Sequence, residues 1–146
     1  MTDDVQALSA TLLSEILTAD QLLRARIGRA LPRGMEISHF SVLNYLAHKS
    51  DERTPAQLAQ AFHVTRGAMT NTLSKLEIAG HIHIRPDWDD ARRKLVSISP
   101  SGLQARNAAL ASITPLIGEL MGDLGASKLR QALPVLRELR LKLERG

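Results

Sequence analysis

The stretch "RPDWDDARRKL", residues 85–95, gathers three carboxylates (Asp87, Asp89, Asp90), three consecutive cations (Arg92, Arg93, Lys94) and the chain's one tryptophan, Trp88. Carboxylate clusters bind metals and move protons; basic runs bind phosphate; acids around a turn can also be the exposed tip of a hairpin. A calcium loop needs about six oxygens, a glycine at its sharp turn and a closing bidentate glutamate. The stretch has neither the glycine nor the glutamate. A two-metal nuclease would need further carboxylates, and none stands out. His81 and His83, spaced i, i+2, would share a strand face and with a nearby carboxylate could hold zinc. The plainer alternative is two partly exposed histidines. His39, His48 and His63 are isolated in sequence. With no cysteine in the chain, disulfides, thiolate zinc sites, cysteine nucleophiles and thiol-based sensing are excluded. No serine sits in a nucleophile setting. No catalytic residue, metal or cofactor is therefore expected.

The other chemistry-bearing run is "TRGAMTNTLSKLEIAG", residues 65–80. Met69, Leu73 and Leu76 at i, i+4, i+7 form an apolar stripe. Thr65, Arg66, Thr70, Asn71 and Ser74 fall elsewhere, with Lys75 near the edge. Guanidinium, hydroxyl and amide groups bond phosphate oxygens and base edges in a major groove. Gly67 and Ala68 keep the first turn slim, so backbone N–H groups can approach a phosphate. A solvated helix face would look the same, so the flanking elements must decide.

Those elements are legible. Residues 5–31 read as a long helix ended by Leu31-Pro32-Arg33-Gly34, and Ser38 is expected to cap a second. Thr54-Pro55 starts a short helix, with Thr54 and Gln57 as possible phosphate contacts. His63-Val64 makes a brief turn, Thr65 caps the next helix, and Gly80 ends it. "HIHIR" and "KLVSIS" alternate polar and apolar, so a β-hairpin follows, its Asp-rich loop longer than the tightest turns. Ser99 or Ser101 opens a long helix that Pro115 should kink and that breaks at Gly122–Gly125. A final helix covers about 127–144, with Pro134 bending it or delaying its start. The expected fold is mainly α with a small β-hairpin wing: a helix-turn-helix and wing over residues 38–99, flanked by long helices at 5–31 and 100–144.

From Thr54 to Gly102 the order of features resembles the MarR-type winged-helix transcriptional regulators. The shared features are Thr54, Leu58-Ala59, Val64-Thr65, Leu76-Glu77 through Gly80, Asp87 through Arg92, and Ile98-Ser99 through Gly102. Two positions depart from the usual pattern: Ile84 stands where an arginine is common, and His81 where an aromatic or leucine is. The resemblance implies one MarR-type domain over residues 1–146. It implies a homodimer joined through the terminal helices, with two recognition helices on a pseudo-palindromic double-stranded DNA operator. It also implies a small aromatic or phenolic effector between the dimer helices and the DNA-binding lobe. Leu23, Ile27, Met35, His39, Phe40 and Leu43 are candidate lining residues, each of which ordinary core packing would also explain. At the wing, Arg92 is expected in the minor groove, aimed by Asp90, with Arg93 and Lys94 on phosphate or solvent.

Composition is compatible with this and does not prove it. Net charge is +4 and the sequence pI about 10.0, mildly favouring a polyanionic partner. Aromatic residues make up 3%, few for a protein that stacks single-stranded bases. No stretch is apolar enough to span a bilayer and the N-terminus lacks a signal-peptide core, so a cytoplasmic location is expected. A winged helix that binds protein instead of DNA, and a zinc-responsive regulator, are the competing readings.

Overall fold

The computed structural model describes residues 2–48 and 51–146. Among them the elements run α1 (Asp3–Ala30), α2 (Ile37–His48), α3 (Pro55–Ala61), α4 (Arg66–Ile78), β1 (Ile82–Asp87), β2 (Asp90–Ile98), α5 (Pro100–Leu124) and α6 (Ala126–Arg145). The chain divides into two compact units, one reaching Ser112 and one spanning Ile113–Gly146. The architecture is the mainly helical one expected, with a two-stranded wing after the fourth helix.

Local chemistry sets the element ends. Thr2 caps α1 by accepting the Val5 N–H, and Asp3 and Asp4 lie at the positive end of its dipole. Ser38 does not cap α2, which already begins at Ile37. Instead His39 Nδ1 accepts the Glu36 N–H at 3.1 Å. An imidazole at the third helical position thus serves as glutamate or glutamine does in a capping box. Thr54 and Gln57 form a full capping box on α3, at 3.1 and 2.9 Å. Between α3 and α4, His63 adopts the left-handed conformation at φ 54. A non-glycine residue there costs about 1–2 kcal/mol. The turn is anchored by Val64 N–H on the Ala59 carbonyl and by Phe62, edge-on to Tyr45 at 5.5 Å.

The core joins Val42, Leu43 and Leu46 of α2 to Leu58 and Ala59 of α3, Met69, Leu73 and Leu76 of α4, Ile82 of β1 and Val96 of β2. It fixes the roll of α4 about its axis. The base of the wing is tied to both flanking helices. Gly80 ends α4 at φ +79. Ser99 Oγ donates to the Gly80 carbonyl at 2.7 Å and accepts the Gly102 N–H at 2.9 Å, while Ser99 N–H donates to the His81 carbonyl. Ser99, not Ser101, therefore opens α5, with Pro100 in its first position.

Three expectations need correction. The hairpin is tight: Asp87 pairs with Asp90 across a two-residue tip, Trp88-Asp89. The register shifts between Pro86, opposite Lys94, and Asp87. Residues 91–93 are thereby left in a bulge, where a proline without an N–H is tolerated. Gly122 lies within α5, and only Gly125, at φ +90, separates α5 from α6. Pro134 does not delay α6, which starts at Ala126 with Pro134 inside it.

Candidate nucleic-acid interface

The α4 stripe of Met69, Leu73 and Leu76 is buried, while Arg66, Gly67, Thr70, Asn71, Ser74 and Lys75 are exposed. The helix begins on Thr65, whose hydroxyl accepts the Ala68 N–H at 3.1 Å.

In the wing, two carboxylates each hold one guanidinium. Asp87 is buried, its side chain 8% exposed. One of its oxygens accepts the Asp89 N–H at 3.0 Å; the other accepts Arg93 Nε and Nη2 at 3.1 and 2.8 Å. A single carboxylate so closes the tip and fastens the bulge. Asp90 accepts the Arg92 N–H and Nε, both at 3.1 Å, and Nη2 at 3.3 Å. The Arg92 side chain is nevertheless 90% exposed, aimed but not covered. The Arg93 guanidinium lowers the Asp87 pKa and the Arg92 guanidinium lowers that of Asp90, in each case aided by backbone N–H groups.

These shifts fix a pH dependence. The folded wing binds these protons only at lower pH than the unfolded chain does. The stabilisation is thus fully present above the ordinary carboxylate value of 3.8. It is lost as pH falls through the depressed folded-state values. An acid titration followed by Trp88 emission should show the wing loosening only below the ordinary carboxylate range. In Asp87→Asn the acid transition should shrink; an unchanged transition would refute the assignment to Asp87.

The cations of wing and α4 meet. A cleft of about 370 Å³ is lined by Thr54, Pro55 and Ala56 at the start of α3, Arg66 and Thr70 of α4, and Arg92, Arg93 and Lys94 of β2. Four cations thus line one concave surface beside two helix N-termini, where backbone N–H groups and dipoles favour anions. Thr54 lines the cleft but its side chain is engaged with Gln57 in capping α3. Other candidates lie apart. Asn71 lines a different cavity with Leu23 and Ile27, and Lys75 lines a third with Met35 and His39.

The six effector candidates do not form one pocket. Leu23 and Ile27 line one cavity of about 540 Å³; Met35 and His39 line another of about 540 Å³. Phe40 lines neither, and Leu43 is fully buried in the core. The resemblance implied these residues as a group, but they come from α1, the segment before α2, and different sides of α2. The His39 cavity is the more distinctive. Its floor is Met35, Leu76, Ala79, Ala105 and Ala108, with Arg33, Lys75 and His81 also lining it. His39 is 8% exposed, and burial lowers its pKa. Because Nδ1 accepts the Glu36 N–H, the ring proton is on Nε2. That buried Nε2 has no hydrogen-bond partner among the described residues. His83 lies outside this cavity, and among the described residues no three His, Asp or Glu side chains are placed to hold a metal.

Reading the sequence missed one pair entirely. Glu52 accepts Arg85 Nε and Nη2 at 2.9 and 2.6 Å, and the guanidinium lies 5.6 Å from the Trp88 ring centroid. Trp88 itself is at the tip, 77% exposed.

A family model for the MarR family matches residues 33–93, which span α2, the helix-turn-helix and most of the wing. Over this segment the chain is similar to the MarR family. Solved structures of MarR-family proteins and related regulators share the fold over nearly the whole chain. Sco5413 from Streptomyces coelicolor is 22% identical with a TM-score of 0.83, covering 92% of this chain and 94% of its own. A cysteine-to-serine mutant of E. coli MarR, crystallised with operator DNA, is 21% identical with a TM-score of 0.80, covering 95% and 99%. BldR from Sulfolobus solfataricus is 23% identical with a TM-score of 0.78, covering 94% and 99%. No curated protein sequence matches the chain. The shared fold accounts for the order of helices and wing.

Proposed function

We propose that this chain is a MarR-family regulator: a ligand-responsive repressor that binds a pseudo-palindromic duplex operator as a homodimer. The observation that carries the reading is the cleft where Arg66 and Thr70 of the recognition helix meet Arg92, Arg93 and Lys94 of the wing. A groove-and-phosphate surface needs this combination of donors and positive charge. The E. coli MarR mutant and S. aureus MepR were both crystallised with DNA, which supports the same use of the fold here.

Dimerisation is supported by what the terminal helices leave open. Neither α1 nor α6 contains a buried residue. Leu8, Leu12, Leu13 and Leu17 of α1 and Leu133, Leu136, Leu141 and Leu143 of α6 are exposed. Each leucine fully buried in an interface gains about 1.5–3 kcal/mol. For the effector, the His39 cavity offers an apolar floor, a buried donor at Nε2 and two neighbouring cations, Arg33 and Lys75. Lys75 belongs to the recognition helix and pairs with Glu36 at 3.8 Å. A bound acid competing for Lys75 would thereby shift the population of recognition-helix positions. Acting on DNA, such a regulator works in the cytoplasm.

One titration tests the reading. Labelled duplex from the chain's own upstream region, and an unrelated duplex of equal length, are bound at several salt concentrations. The expected result is preference for the upstream duplex, steep weakening with salt, a dimer by sedimentation, and reduced affinity when benzoate is added. Equal and weak binding to both duplexes would reject DNA recognition in favour of a protein-binding winged helix. Failure of benzoate and related aromatic acids would reject only the effector assignment.

A further inference from the structure

We propose that Trp88 is a direct DNA contact: the open face of its indole packs against the sugar wall of the minor groove beside Arg92, held in position by Arg85 and Glu52. The inference rests on the reading of the wing as a DNA-binding element. A two-residue turn has no conformational need for an indole, and small or polar residues fill such turns more readily. Yet the tip presents Trp88 at 77% exposure.

The ring is also positioned. On one side lies the Arg85 guanidinium, 5.6 Å from the ring centroid. That guanidinium is fixed by Glu52 through Nε and Nη2 and by the Pro86 carbonyl through Nη1 at 2.9 Å. Glu52 is fixed in turn by its neighbour Arg53, which exchanges two backbone hydrogen bonds with Val96 of β2 at 3.0 and 2.7 Å. The indole is therefore held from one side and exposed on the rest. A side chain ordered before binding loses less entropy on binding. The cation–π contact to Arg85 strengthens as water is excluded.

DNA is the partner that the surroundings favour. Arg92 projects from the same hairpin four residues on, and Arg93 and Lys94 continue the surface into the cleft with Arg66. The neighbouring Asp89 is exposed and repels phosphate. The contact at the tip is thus with the apolar sugar edge and not with the phosphates. Apolar side chains packed into the minor groove are a general device of DNA-binding proteins.

Trp88 is the only tryptophan, so it reports on itself. The full chain is titrated with a duplex enriched by binding from a random-sequence library. Anisotropy of the labelled DNA and acrylamide quenching of Trp88 are read in the same samples. We expect quencher protection with the same midpoint as the anisotropy. Trp88→Ala should bind about tenfold more weakly, and Trp88→Phe less weakly than that. Glu52→Gln should make the indole more mobile in the free protein, seen as lower emission anisotropy, and lower DNA affinity in parallel. If the duplex binds while Trp88 stays fully quenchable, or if both Trp88 variants bind as tightly as the parent, the proposal falls and DNA recognition stands. Protection that depends on protein concentration without DNA would assign the ring to a second copy and overturn it. If no duplex is enriched at all, it falls together with the functional reading.

Discussion

Gly102→Ala should lower the melting temperature by on the order of 10 °C, the largest loss of stability expected from a single methyl group in this chain. A Cβ at Gly102 would overlap the carbonyl oxygen of His81 and crowd Ile98 Cγ1 at 3.0 Å. The first obstacle is backbone and cannot rotate away. The same carbonyl accepts the Ser99 N–H, and Ser99 in turn caps Gly102 and holds Gly80. Relief of the clash would therefore pull the start of α5 away from the end of α4 and the base of the wing. Overpacking against rigid neighbours costs about 3 kcal/mol, and for a chain of this size each kcal/mol corresponds to roughly 2–4 °C. Gly67→Ala is the control: a Cβ there meets nothing within 4 Å. In a helix that change should be neutral or stabilising by up to about 1 kcal/mol. Thermal melts of the two variants, with circular dichroism at both ends, check the pair. Equal melting temperatures would show that the α5 start is not rigidly docked.

The Ser99–Gly102 feature also shows what a sequence can reveal of this fold. Its spacing marks a helix start, but that the glycine is needed for a carbonyl two elements earlier is a tertiary fact. Signals contained within one or two turns were legible: Thr54-Pro55, Thr65, the Met69–Leu73–Leu76 stripe, Gly80 and the switch from helical to alternating period. The misreadings came where another bond competed with a local rule. Ser38 is a good cap by type, yet His39 reaches back to the Glu36 N–H and starts the helix ahead of the serine. The acids at 87–90 suggested an open loop, whereas Asp87, bonded to both Asp89 and Arg93, draws the hairpin shut. The basic and hydroxyl residues of the cleft stood out in the sequence only as candidates by type, since such groups bond phosphate oxygens and base edges; that wing and α4 bring Arg66, Thr70, Arg92, Arg93 and Lys94 together is a tertiary fact. The Glu52–Arg85 pair was not, because its partners are 33 positions apart and Glu52 sits in a segment that reads only as polar.

The cations of the cleft should not contribute equally, and their order tests the interface. Among the described residues no ion pair engages Arg66, whereas Arg92 is paired with Asp90 and Arg93 with Asp87. Removing one cation from a phosphate lowers the slope of log affinity against log salt by about 0.9, so removing one in each protomer of a dimer lowers it by about 2. Arg66→Ala should show that full change, with affinity about a hundredfold weaker near physiological salt and an unchanged melt. Arg92→Ala should weaken binding with a smaller change in slope, since the pair it belongs to has no net charge. There the sign for Asp90→Asn is decisive. If Asp90 mainly cancels charge, its removal strengthens binding; if it aims the guanidinium, removal weakens binding although a negative charge has gone. We expect weakening, because three bonds fix Arg92 on Asp90 while leaving it 90% exposed. Arg93→Ala belongs to a different class. It strips a buried carboxylate of its partner, so the wing should loosen in the free protein, with altered Trp88 emission and a lower melting temperature before any DNA is added. A series in which Arg66→Ala and Arg93→Ala behave alike in both salt slope and free-protein stability would be incompatible with this division of roles between reaching and bracing.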